Sequence, residues 1–77
     1  MRTNSLRLIL VKLFPKESIP VNIDKLKVGD IKGWDSLANL NFLLLVESEF
    51  KVKFSMEEMS EIKSIDELLV LLNLKLN

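Results

Sequence analysis

Gly33-Trp34-Asp35-Ser36-Leu37-Ala38-Asn39-Leu40-Asn41-Phe42-Leu43-Leu44-Leu45-Val46-Glu47-Ser48-Glu49-Phe50 is the stretch on which the fold turns. Phe42, Leu43, Val46 and Phe50 recur at i, i+1, i+4 and i+8, the stripe of a helix facing a core. Leu37, Leu40 and Leu44 form a second stripe at i, i+3 and i+7, rotated away from the first. Asp35 is a good N-cap, so a helix is expected from Asp35 or Ser36 to about Phe50, with Ser36 at its first position. A chain of 77 residues buries only about 60% of its unfolded surface, too little to cover both stripes fully. The reading adopted leaves Leu37, Leu40 and Leu44 partly exposed beside Ser36, as an apolar patch with a polar rim of the kind that marks partner sites. The alternative is that these leucines pack into a larger core or a dimer contact.

Working outward, Leu6, Ile9, Leu10 and Leu13 predict a first helix, capped by Asn4 or Ser5 and ended near Phe14 by Pro15. From Pro15 to Asp35 the period is lost, giving a long ordered loop pinned to the core by Ile19, Val21, Ile23, Leu26, Val28 and Ile31. Lys51 to Phe54 alternates as an extended connector. Ser55-Met56-Glu57-Glu58 and Ser64-Ile65-Asp66-Glu67 each carry the serine-to-glutamate spacing of a capping box. The first opens a short helix toward Glu61; the second opens a last helix with Ile65, Leu68, Leu69 and Leu72 inward. The expected fold class is all-α: a small four-helix bundle of three main helices and one short helix. A long ordered loop joins the first and second helices, and the whole is one domain over residues 1–77.

Composition excludes several functions. With no cysteine and no histidine, the chain has no disulfide, no thiol nucleophile, no imidazole base and none of the usual zinc sites, which leaves carboxylates as its metal-binding side chains. No metal site is expected in the free protein, since no EF-hand spacing occurs. Net charge is zero but divided: residues 1–35 carry +3 and residues 36–77 carry −3. That basic excess is too small for a nucleic-acid footprint. The longest apolar runs, Phe42–Val46 and Leu68–Leu72, are far short of the ~20 residues of a membrane span. No signal peptide is read in Leu6 to Phe14, which Arg7 and Lys12 interrupt, so a cytoplasmic monomer is the expectation. No base–nucleophile pair stands out, so the chain is not expected to be an enzyme.

Over essentially its whole length the chain resembles the acyl carrier protein family. Gly33, Asp35, Ser36 and Leu37 satisfy the fixed positions of that family's Gly-x-Asp-Ser-Leu attachment motif. Behind them come a helix ending in Glu47-Ser48-Glu49-Phe50, the extended Val52-Lys53-Phe54, the acidic pair Glu57-Glu58 and a final Ser64-Ile65-Asp66-Glu67-Leu68, all at the family's spacing. The motif alone is a modest signal, because Asp-Ser at a helix start also caps well. The resemblance implies that Ser36 carries a covalent 4'-phosphopantetheine taken from coenzyme A by a phosphopantetheinyl transferase that uses magnesium. Asp35 and Leu37 would be read by the transferase. The arm's thiol would hold an acyl or aminoacyl group as a thioester. Leu37, Leu40, Asn41, Leu44 and Glu47 would dock the acyl- or aminoacyl-activating and acyl-transferring partner enzymes. The competing reading is an unmodified helical interaction module with the carrier fold.

The sequence also departs from the family's fatty-acid members. Ala38 and Asn41 stand where those carriers often have acidic residues, which leaves Glu47 and Glu49 as the acids of the helix. Electrostatic steering is thereby weakened, and shape carries more of the recognition. The expectation is a specialised carrier outside the general fatty-acid pathway, its cargo an acyl chain for a surface polysaccharide or lipid, or an amino acid. Trp34 is expected to pack over the loop, with contact to a partner as the alternative.

Overall fold

The computed structural model describes residues 2–76, and these described residues form four helices and no strand. They are α1 (Arg2–Leu13), α2 (Ser36–Phe50), α3 (Met56–Glu61) and α4 (Ile65–Leu76), so the all-α bundle with a long loop between α1 and α2 is what the sequence folds into. One cluster forms the core: Leu6, Ile9 and Leu10 of α1, Phe42, Leu43 and Val46 of α2, and Ile65, Leu68 and Leu72 of α4. Each fully buried side chain of this size contributes roughly 1.5–3 kcal/mol.

The end of α1 is as expected: Phe14 N–H still reaches Leu10 carbonyl at 2.9 Å, and Pro15 then stops the helix. Its start is not. Neither Asn4 nor Ser5 caps it, because the helix already runs from Arg2. The Arg2 guanidinium hydrogen-bonds the Asn73 side chain on α4, which anchors that additional turn across the bundle.

The long loop is folded inward by apolar anchors and backbone bonds. Ile19, Ile23 and Ile31 are buried, and Leu26 and Val28 are half-buried. Val21 is a correction to the sequence reading: it is 86% exposed. The chain bends there, so the alternation that buries Ile19 and Ile23 is broken between them. Arg7 donates to the carbonyls of Ile19 and Pro20, both at 2.8 Å, which ties this bend to α1. Further on, Val28 N–H bonds Lys63 carbonyl (2.8 Å) and Ile65 N–H bonds Leu26 carbonyl (3.0 Å). These two bonds make an antiparallel bridge at Lys27 and Ser64, so the loop is stitched to the α3–α4 connector.

The later caps follow the sequence with one variation. Ser55 and Glu58 form a complete reciprocal capping box on α3. At α4, Ser64 Oγ accepts from Glu67 N–H at 3.2 Å, but Glu67 returns to the N–H of Lys63, one residue earlier than a standard box. No residue of α3 is fully buried. It is held by half-buried Met59 and by the Glu58–Lys75 ion pair at 3.1 Å. The Ser55 backbone N–H, followed by Lys75, holds the Glu58 carboxyl below its ordinary pKa.

The loop can be tested as part of the core. Ile23→Ala should cost about 2–5 kcal/mol in urea denaturation, whereas Val21→Ala should leave the midpoint within about 0.5 kcal/mol of the parent.

Candidate functional site

Ser36 lies where the long loop turns into α2, and Gly33 makes that turn possible. Gly33 has φ +90°, a left-handed conformation that side chains rarely adopt. Trp34 N–H then bonds Ile31 carbonyl, and Gly29 N–H bonds Trp34 carbonyl, both at 2.9 Å, so the segment folds back on itself before the helix begins. Asp35 is extended (φ −105°, ψ −169°), and its carboxylate accepts from Ala38 N–H at 2.9 Å. This is the N-cap that the sequence predicts, and it places exposed Ser36 at the first helical position.

Trp34 does not reach solvent. It is 2% exposed, packed between Phe14 (ring centroids 6.5 Å) and Phe42 (5.9 Å, edge-on). Packing over the loop is therefore the reading that holds, and the alternative of a surface anchor for a partner does not. Its indole N–H donates to Asn39 Oδ1 at 3.1 Å, and the Asn39 amide donates to Ile62 carbonyl at 2.8 Å. Among the described residues Asn39 is the one buried polar residue, and it joins the loop, α2 and the end of α3. The sequence reading missed it. The signal was there: position 39 precedes Phe42 and Leu43 by three and four residues, so a polar amide falls on the buried stripe, where a partner is obligatory.

Beside Ser36, the loop, α2, α3 and the α3–α4 connector border a half-open hollow of about 610 Å³. Val28, Leu40, Met56 and Met59 give it an apolar lining; Ser36, Asn39 and Ser60 are its neutral polar residues, and Lys27 and Lys63 complete it. The Met56 and Met59 wall went unread in the sequence because α3 presents itself there as a short acidic helix.

The second stripe of α2 is exposed and divided in role. Leu37 is 69% and Leu44 47% exposed, and Asn41 is exposed beside them. Leu40 is likewise exposed (41%) and also lines the hollow. Leu45 is a further exposed leucine of the same helix that neither stripe included. Glu47 is half-buried, and its Oε2 accepts from Phe54 N–H at 2.7 Å, so one carboxylate oxygen holds the connector. On α4, Leu71 is half-buried and Leu74 exposed.

Chemically, the site offers the Ser36 hydroxyl, with Lys27 and Lys63 lining the same hollow. The chain has no histidine or cysteine, and among the described residues no group of three or more acidic or other metal-binding side chains converges. No helix of the described residues is long and apolar enough to cross a membrane. No family model, curated protein or solved structure matches this chain.

The Asn39 junction should be costly to break. Asn39→Leu strands the indole N–H and the Ile62 carbonyl, and is expected to lower stability by about 2 kcal/mol in urea denaturation. Trp34→Phe, which leaves only Asn39 Oδ1 unpaired, should cost about 1–3 kcal/mol for that acceptor, in addition to lost packing.

Proposed function

We propose that this chain is an acyl-carrier-type protein whose Ser36 is modified with 4'-phosphopantetheine by a separate phosphopantetheinyl transferase. The observation that carries the reading is an exposed serine at the first position of a capped helix, at the edge of a largely apolar hollow. Together with the Gly33-Trp34-Asp35-Ser36-Leu37 motif, that arrangement fits a group attached at one end and sheltered along its length.

The residues present suit such a group. A phosphodiester on Ser36 Oγ would lie at the positive end of α2, an interaction worth ~0.3–1 kcal/mol at an exposed site. The hollow lies within the ~300–1,000 Å³ range common for small-molecule sites. When attached, the arm supplies a terminal thiol, which a cysteine-free chain lacks. In this reading the transferase supplies the base that removes the Ser36 hydroxyl proton. In that exchange Ser36 Oγ bonds to phosphorus, the bond between the two phosphates of coenzyme A breaks, and the adenosine bisphosphate departs.

Asp35 contributes by holding the helix start, and Leu37 stands exposed next to the reacting hydroxyl, where a transferase would touch it. Leu37, Leu40, Asn41 and Leu44 offer a docking surface for enzymes that load and remove the acyl group. It is mainly apolar and weakly charged, as suits a small set of dedicated partners.

Incubation with coenzyme A, magnesium and a broad-specificity phosphopantetheinyl transferase should add the mass of one phosphopantetheine, and Ser36→Ala should abolish the gain. No gain with several transferases would overturn the carrier reading and favour an unmodified interaction module.

A further inference from the structure

The hollow beside Ser36 is uneven in charge. Lys27 of the loop and Lys63 of the α3–α4 connector both line it, and no carboxylate does. The two lysines are not equivalent. Lys27 Nζ lies 3.2 Å from Asp30 Oδ1, so its charge is answered within its own turn. The Lys63 ammonium has no ion pair among the described residues. Only the Lys63 backbone is engaged, its N–H with Glu67 and its carbonyl with Val28 N–H.

The remaining lining is Val28, Leu40, Met56 and Met59, the last two being adaptable side chains that fit irregular apolar ligands. An apolar lining joined to an unpaired ammonium suits a ligand with a hydrocarbon body and an anionic end. The body removes water from the leucine and methionine surface, and the end meets Lys63. A cationic end would meet two lysines and no lining acid. Asp35 accepts from Ala38 N–H, Asp30 from Lys27, and Glu67 from Lys63 N–H and the Ser64 hydroxyl, and none of the three lines the hollow.

Resting on the carrier reading, we infer that the cargo is an acyl group whose far end carries a carboxylate, and that Lys63 receives that carboxylate. This narrows the classes left open by the sequence, since an aminoacyl cargo adds positive charge where none is answered. The arm's phosphate is also an anion, but it is fixed at Ser36 in every loaded form, so forms that share the arm and differ at the far end isolate the cargo's contribution.

Ser36 is loaded with hexanoyl, adipoyl or aminohexanoyl arms from the matching coenzyme A thioesters, and each product is verified by intact mass. Thioester cleavage by hydroxylamine is then followed, each rate normalised to that of its free coenzyme A thioester. The adipoyl form should be cleaved about two- to fivefold more slowly than the hexanoyl form, the range of an exposed ion pair, and the aminohexanoyl form no more slowly than the hexanoyl. Lys63→Gln should remove the adipoyl advantage while keeping the helical circular dichroism, because neither structural bond of Lys63 uses its side chain. Equal hexanoyl and adipoyl rates, or an advantage that persists in Lys63→Gln, would overturn the inference with the carrier reading intact. No mass gain at the loading step overturns both.

Discussion

The Trp34–Asn39–Ile62 hydrogen-bond chain is the constraint on which the site depends. Trp34 belongs to the loop, Asn39 to α2, and Ile62 caps the end of α3. These are three of the segments that border the hollow beside Ser36, the fourth being the α3–α4 connector through Lys63. An amide in the core is a liability unless both its ends are used, and here both are. The same requirement makes the junction specific, since the indole, the amide and the carbonyl are satisfied together by one placement of loop, α2 and the end of α3. The short α3 has no fully buried residue of its own, so this bond and the Glu58–Lys75 pair supply what its packing does not.

Much of the fold was legible in the sequence because its signals are local. Asp35 at the start of α2, Ser55 and Glu58 at α3, and the period of Phe42, Leu43 and Val46 each act within a turn or two of chain. What was not legible depends on distant partners. Arg2 meets Asn73 and lengthens α1 past Asn4 and Ser5; Arg7 meets the carbonyls of Ile19 and Pro20, where the chain turns Val21 outward. The loop's stitch to Lys63 and Ile65 likewise joins segments far apart in sequence.

The candidate site divides along the same line. Ser36, Asp35 and the exposed Leu37 and Leu44 follow from the motif and the helical period. All three leucines of the second stripe are exposed, and Leu40 also lines the hollow. Glu47 could be assigned only a surface role from sequence, since its bond to Phe54 N–H requires the chain to reverse after Lys51 in the left-handed conformation (φ 55°). In the proposed role Ser36 is a passive anchor: its reactivity is supplied by other enzymes, and the protein's contribution is a fixed helix start and a sheltered, positively rimmed hollow.

That contribution depends on the junction being as durable as the core, and native-state hydrogen exchange at the Trp34 indole N–H measures this directly. The expected result is exchange only through global unfolding, with an opening free energy equal to the stability from urea denaturation. Exchange through a low-energy local opening, with the core amides of α2 still protected, would contradict it and show that the hollow beside Ser36 is not held by Asn39.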